Sequence, residues 1–554
     1  MPAPGAASKG AGVAGVNPVE MIARLRVHAA AASRGNPTEN DDGGGGGVYT
    51  DEELRSFVSM YVGGEIKDYQ MSAWLMAVCF CPLTPRETAT LTDAYAGSGR
   101  LVAWPDPRRR PPLVDKHSSG GVGDKISLVL APLVAACGVC VPMMAGRGLG
   151  HTGGTIDKLE TSFPGYRAEP KSVEDFQRIV LGDCVGSSNA GDGDASSGVG
   201  CAIVEAGPEL CPADRRIYAL RDVTATVSCL PLQTASIMSK KIAERPDSLV
   251  LDVKYGDGAF QESVEDARLL AESMVAVGEA NGLNPTTAFL TDMNHPIGRA
   301  VGNWVEVAEC IDVLKGNLDG NETLRLSRDL IALVVVQAGQ MLRQSGSYRR
   351  SSSSEPGGAP AAGEPHERYR TMGLDECIEH AYGVLDSGRA LGTFRAMLLA
   401  QGADPDHLER ALEDPGAIPP ATFVAEWRVG GEAPLVVADV PARATGEVAV
   451  LLGAGRKAAG EPVDGQAGIV FHKKTGDSVE PGEVLATVYT NRSREVADAA
   501  LEKIRGAVAL GKAAERKGPR NNHGPIVTHI VTGEGGTEAF AMPAFLLGAG
   551  EGSL

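Results

Sequence analysis

A chain of 554 residues that is 43% hydrophobic and 22% charged carries enough apolar sequence for a large core, and its length suggests about three or four domains. Its formal net charge of −18 argues against broad binding to nucleic acid or acidic membranes, because recognition of a phosphate backbone needs a positive surface field. Any bound anion must therefore meet a local positive pocket.

The opening MPAPGAASKGAGVAGVN has no apolar centre of the kind a secretory signal needs, and residues 1–17 read as disordered. No run of about 18 apolar residues follows, so a cytoplasmic location is expected. Residues 18–34 and 50–97 read as helices. TDEELRSFV offers Thr50 or Asp51 as a cap with acids in the first turn, and TPRETATL repeats that signal at Thr84. Between them RGNPTENDDGGGGG (34–47) is too polar and glycine-rich to pack, and reads as a surface loop.

From 113 to about 425, strands such as SLVLDVK (248–254) and TTAFLTDM (286–293) alternate with helical stretches such as 261–281 and 304–315. That alternation predicts an α/β domain, with ligands gathered at the carboxyl ends of its strands. Two polar, small-residue stretches, 186–200 and 345–367, read as loops inserted into it. A Pro- and Gly-punctuated region around 412–436 leads to short apolar runs and a helix at 493–513, read as a separate C-terminal α+β domain. Within it HKKTGDSVEPGEVLATV is similar to half of a biotinyl or lipoyl carrier, but the modified lysine at a hairpin tip is not evident, so no carrier role follows.

Ten cysteines, scattered except for Cys79/Cys81 and Cys137/Cys140, are too few for a disulfide framework in so long a chain. Cys137-Gly-Val-Cys140 closes an apolar helix and has no second ligand pair, so it reads as two small buried thiols.

Two glycine-rich stretches carry the chemistry. VDKHSSGGVGDKISLVLAPL (114–133) and MMAGRGLGHTGGTIDKLE (143–160) bring Lys116, Ser118, Ser127 and Thr155 within about forty residues of one another. Neither fits a P-loop or a dinucleotide fingerprint. Lysine supplies a point charge, hydroxyls supply short donors, and Gly120 and Gly121 let the backbone approach an anion closely. Ser127 falls near the start of the following helix, where the dipole favours the same negative ligand. In CPADRRIYALRDVTATVSCLPLQTASIMSKKIAE (211–244), Pro231 suits the first turn of a helix that carries Ser236 and Lys240 on one face. Arg221 precedes that helix and has the planar donors for a carbonyl-bearing ring. Taken alone, Lys240 and Lys241 read as a solvated helix face, and His28, His295 and His472 as structural histidines.

These three stretches resemble the thymidine phosphorylase and pyrimidine-nucleoside phosphorylase family, whose signature GRGLGHTGGTIDKLE matches nearly throughout. YVGGEIKDYQMSAWLMA (61–77), SLVLDVKYGDGAF (248–260), TDMNHPIGRAVGNWVEV (291–307) and LLGAGRKAAGEPVDGQAGIVFHKKTGD (451–477) are similar to further family segments. The resemblance implies an α/β fold: a small helical domain (18–97 and 213–245), a large mixed α/β domain (112–204 and 246–425, with loops 186–197 and 345–367), and a cleft between them. A C-terminal α+β domain (436–534) and a tail (535–554) follow. It implies reversible phosphorolysis of thymidine or another pyrimidine nucleoside to the free base and a pentose 1-phosphate. No organic cofactor is implied, inorganic phosphate being a co-substrate; a monovalent cation near Lys125 is left open.

By the same resemblance phosphate falls to Lys116, Ser118, Gly120, Gly121, Ser127 and Thr155. The pyrimidine nucleoside falls to His117, Leu149, Tyr218, Arg221, Gln233, Ser236, Lys240 and Phe260, with His117, Arg221 and Lys240 as the catalytic groups and no metal. Closure of the cleft brings Lys116 and Lys240 to face each other, and the family implies a homodimer packed through the helical domain. His117, whose ordinary pKa lies near neutrality, is the candidate general acid toward the base's O2, while Arg221 and Lys240 stabilise charge on the departing ring.

Three departures bear on affinity and specificity. Ala145 stands where the family commonly has serine, which removes a hydroxyl from the phosphate side. Gln233 replaces a usually apolar residue, and EAGPELCPAD (205–214) replaces the family's approach to Pro-Ala-Asp. A broader pyrimidine-nucleoside or nucleoside-monophosphate phosphorylase, a related phosphoribosyltransferase and a non-catalytic relative remain alternatives.

Overall fold

The structure, a computed structural model, describes residues 16–32, 47–107, 110–148, 150–182, 198–347, 365–456, 461–512, 526–533 and 536–546. The N-terminal segment 1–15, the stretch 34–46, the inserted loop 186–197, most of the loop 345–367 and the end of the tail lie outside those residues. The chain forms two compact units, one from 1–100 and 208–243 and the other from 101–207 and 244–554.

The smaller unit is helical among its described residues. Thr50 caps Asp51–Val62 by accepting from the Glu53 N–H at 3.2 Å, while Glu53 accepts from the Thr50 N–H at 2.9 Å. Thr84 and Glu87 repeat this capping box at Pro85–Ala96. Such a box satisfies two otherwise orphaned donors, and therefore fixes where each helix begins. Asp68–Phe80 buries Met71, Trp74, Leu75 and Val78, whereas Tyr69 and Phe80 are 73% and 74% exposed. Pro212–Val223 and Leu230–Glu244 complete the unit and contribute Ala213, Ile217, Leu232 and Ala235 to its core.

The larger unit is built on a five-stranded sheet. Val114–Ser118, Ser248–Tyr255 and Thr286–Asp292 run parallel, and Val527–Thr532 and Gly536–Ala539 extend the sheet antiparallel. Every residue of Ser248–Tyr255 is buried, as expected of a central strand in a parallel sheet. Helices Ile126–Ala136 and Arg328–Gly346 supply much of the surrounding core. Val141–Met144 pairs in parallel with Cys201–Val204.

Three expectations from the sequence are corrected. The helix expected over 493–513 spans Arg494–Ala507; Val508 turns extended and Ala509–Lys512 pairs with Leu435–Asp439, so strand pairing overrides the helical pattern. The punctuated stretch 412–436 contains Phe423–Arg428, a strand of the sheet that also holds Gly468–Phe471 and Val484–Thr490. Residues 527–532, assigned to the C-terminal domain, return instead to the central sheet beside Thr286–Asp292.

Candidate functional site

The first glycine-rich loop leaves the carboxyl end of Val114–Ser118, where ligands of parallel sheets gather. Strand alternation places Lys116 and Ser118 on one face and His117 on the other. In register, Lys116 lies beside Val250 and Ser118 beside Asp252, so Asp252 and Lys254 share the face of Lys116. Gly123 has φ +71°, and a Cβ there would lie 2.7 Å from the Ile297 carbonyl; both the turn and the close approach require glycine.

Lys116 is fully buried, and among the described residues its ammonium has no hydrogen-bond partner; Asp252 is the acid it pairs with, at 3.7 Å. Burial pushes its pKa down, opposed by the charges of Asp124 and Asp252. Asp252 is occupied elsewhere: it accepts from Lys254 at 2.6 Å, Thr291 at 2.6 Å and Gln337 at 2.8 Å. Ser118 donates to Asp124 at 2.5 Å and accepts from the Gly120 N–H at 3.2 Å, so its proton shapes the loop. Burial alone would raise the Asp124 pKa, but the charges of Lys254 and Lys116 and the Ser118 bond hold it well below the usual carboxylate range. A buried ammonium without hydrogen bonds is costly, and an anion would offset that cost.

The second loop connects Met144 to the helix Thr155–Ser162, with Thr155 in its first turn. The two loops come together: Lys158 donates to the Asp124 carbonyl at 3.2 Å, and a Cβ on Gly120 would meet the Phe260 ring at 3.6 Å and the Thr152 hydroxyl at 3.8 Å. Ser127 lies in the first turn of Ile126–Ala136 and is buried. Phe260 packs against His151 with ring centroids 5.6 Å apart. Leu149 lies outside the described residues. Ala145, the residue after the strand Val141–Met144, is buried.

The position left open for a monovalent cation holds the Lys125 ammonium. Its Nζ donates to the Ile297 and Ala300 carbonyls and to Glu309, each at 2.8 Å, with no solvent exposure. Among the described residues no group of three His, Cys, Asp or Glu side chains is arranged to hold a metal. Cys137 and Cys140 are buried thiols, pushed up to about 12 by burial.

In the helical unit the reading of Lys240 and Lys241 as a solvated face is overturned, since both are buried. Lys240 donates to Asp214 at 2.5 Å, to the Ser236 carbonyl at 2.7 Å and to the Ser236 hydroxyl at 3.3 Å. The Tyr218 ring centroid is 5.4 Å from the same ammonium. The i, i+4 face inferred for Ser236 and Lys240 is present, and Gln233 is buried on the same helix. Arg221 donates to the carbonyls of Leu232 at 2.9 Å, Val227 at 2.6 Å and Thr226 at 3.3 Å, so three of its five N–H bonds shape the turn before that helix.

Sequence reasoning missed Lys254, Asp252, Asp124 and Lys158. The signal was present in SLVLDVKYG: two opposite charges two residues apart in a strand otherwise apolar enough to be fully buried. Ions survive there only when paired or when they serve a ligand.

Comparison with known proteins adds a family to this geometry. The domain family described as "Glycosyl transferase family, helical bundle domain" matches residues 44–99, and "Glycosyl transferase family, a/b domain" matches 110–186 and 194–391. "Pyrimidine nucleoside phosphorylase C-terminal domain" matches 436–511. A pyrimidine-nucleoside phosphorylase of Bacillus subtilis is 40% identical over 86% of this chain and 95% of its own length. One from Staphylococcus haemolyticus is 39% identical over 83% and 92%, and a thymidine phosphorylase of Agrobacterium fabrum is 38% identical over 84% and 93%. An anthranilate phosphoribosyltransferase from Thermus thermophilus aligns over 64% of this chain and 96% of its own at TM-score 0.43 and 18% identity. With relatives this similar along most of its length, the chain belongs to the pyrimidine-nucleoside and thymidine phosphorylase family.

Proposed function

We propose that this chain catalyses reversible phosphorolysis of pyrimidine nucleosides, with thymidine plus phosphate giving thymine and 2-deoxyribose 1-phosphate. The observation that carries the reading is Lys116, a buried ammonium without a hydrogen-bond partner among the described residues, beside two converging glycine loops. Phosphate needs mainly positioning there, because it is already a competent nucleophile. Lys116, Gly120, Gly121, Ser127 and Thr155 hold it, and Ser118 sets the loop through Asp124. A phosphate oxygen bonds to C1′ as the bond from C1′ to the base nitrogen breaks, and the bonding pair leaves on the base. His117 protonates the base at O2, while Lys240 and Arg221 stabilise the charge that develops on the ring. Tyr218, Ser236, Phe260 and Leu149 complete the nucleoside side. The reaction is read as needing no organic cofactor, with phosphate as co-substrate.

Gln233 favours a broader substrate range. A polar amide on a buried helix face, where the family commonly has an apolar residue, weakens discrimination between a ring methyl and hydrogen. The domain division proposed is helical for 18–97 with 213–245 and α/β for 112–204 with 246–422, the C-terminal domain starting near 423. The chain is further read as a cytoplasmic homodimer, supported by scattered thiols and by the exposed Tyr69 and Phe80 of the helix Asp68–Phe80. Tyr69→Glu/Phe80→Glu is expected to halve the mass in light scattering; an unchanged mass refutes that interface.

The deciding assay is release of thymine and uracil from their nucleosides with and without phosphate, with AMP and CMP alongside. Phosphate-dependent release from the nucleosides alone is expected. Release from the monophosphates instead, or none at all, overturns the reading.

A further inference from the structure

The second glycine loop is clasped at its base by one carboxylate. Asp157, in the first turn of the helix from Thr155, accepts the Gly148 N–H at 2.8 Å, and its side chain is only 4% exposed. Arg456 grips both oxygens of the same carboxylate, Nη1 at 2.9 Å and Nη2 at 2.7 Å. Arg147 reaches it at 3.3 Å while binding Glu160 at 2.7 Å and Glu205 at 2.9 Å. A Cβ on Gly154 would collide with the Gly148 nitrogen, so the loop's two ends touch where Asp157 holds them. Arg456 comes from the region matched to the phosphorylase C-terminal domain, some 300 residues further along the chain. That region meets the loop a second time: a Cβ on Gly446 would lie 2.5 Å from the His151 carbonyl.

We propose that Arg456 is a positioning residue for phosphate: through Asp157, the C-terminal domain fixes the conformation of the loop that ends in Thr155. The inference rests on the reading of this loop as part of the phosphate site. A fork of two parallel charge-assisted bonds constrains the carboxylate in its plane and in direction, which a lysine's single ammonium does not. With the fork removed, Asp157 keeps Gly148 and Arg147 but loses its fixed plane. The N-terminal turn that presents Thr155 then no longer has one geometry.

Arg456→Ala is expected to raise the KM for phosphate about 10- to 100-fold and leave the KM for nucleoside within about twofold, since misplacement near 1 Å costs on that order. Arg456→Lys is expected to recover only part of the loss. Asp157→Asn should show the same split, and the double variant should be no worse than Asp157→Asn alone. Equal changes in both KM values, additive effects in the double variant, or full recovery with lysine overturns the proposal. Lys116→Ala separates the two levels of inference. If it raises the phosphate KM and Arg456→Ala does not, the C-terminal role fails and the phosphate reading stands; if Lys116→Ala moves only the nucleoside KM, the phosphate reading itself fails.

Discussion

Replacing Lys116 by methionine is expected to abolish phosphate binding while leaving the unliganded protein about as stable as before. The substitution removes attractions to Asp124 and to Asp252, the latter across 3.7 Å and worth about 4 kcal/mol at an effective dielectric near 20, and it relieves the repulsion from Lys254. It also removes a fully buried ammonium with no hydrogen bond among the described residues, whose effective desolvation penalty is several kcal/mol. These terms offset to within about 2 kcal/mol. Asp252 is not left alone, because Lys254, Thr291 and Gln337 still bind it. Phosphate at a hundred times its Kd stabilises the wild type by about 2.7 kcal/mol, and that increment should vanish in the variant. Thermal unfolding with and without phosphate reads both quantities. A phosphate-free midpoint more than about 5 °C below the wild type, or a retained upward shift with phosphate, would refute the reasoning.

Lys240→Met should behave in the opposite way, destabilising the fold by about 3–5 kcal/mol, because Asp214 then stays buried without its cation. Asp214→Asn/Lys240→Met is expected to regain stability in denaturant titrations but not thymine release; a stable single variant contradicts this. Gln233→Ile should raise the ratio of kcat/KM for thymidine over uridine about three- to tenfold, and an unchanged ratio removes Gln233 from specificity. Burial, aided by Arg443, holds His151 below its ordinary value of 6.5 despite the Gly258 carbonyl and the charges of Glu447 and Asp257. The unfolded chain therefore binds the extra proton first, so stability present above pH 6.5 declines as pH falls toward the lowered native value. His151→Gln should flatten that decline in melting curves, and a slope equal to the wild type's argues against it.

What was legible in the sequence was local. Thr50 and Thr84 announced their helices through a glutamate three residues on, and SLVLDVK and TTAFLTDM announced buried strands by short runs rich in Val, Leu, Phe and Thr. Lys116, Ser118 and the glycines were visible because they stand in one contiguous loop. The remaining parts depend on pairings that no local window contains. Arg221 was legible as a source of planar donors, but that three of its five N–H groups go to the carbonyls of Thr226, Val227 and Leu232 was not. Lys240 and Lys241 carried the pattern of a wet face because helical spacing says nothing about what packs outside it. Arg456 stands in an ordinary glycine turn, and only the three-dimensional return of that turn to Asp157 gives it a role.

The strand Val527–Thr532 has a consequence for how the protein is made. It completes the hydrogen bonding of Thr286–Asp292, and Thr528 donates to Leu290 across 238 residues of chain. During synthesis the central sheet thus waits with one side unpaired for roughly 10–50 s at ordinary ribosomal rates. That side is a row of backbone donors and acceptors beside Ala288, Phe289 and Leu290, the kind of edge on which nascent chains join one another. Slowed translation or a nonsense codon between residues 300 and 526 should therefore be read out first as aggregation of the nascent α/β sheet, before any loss of turnover.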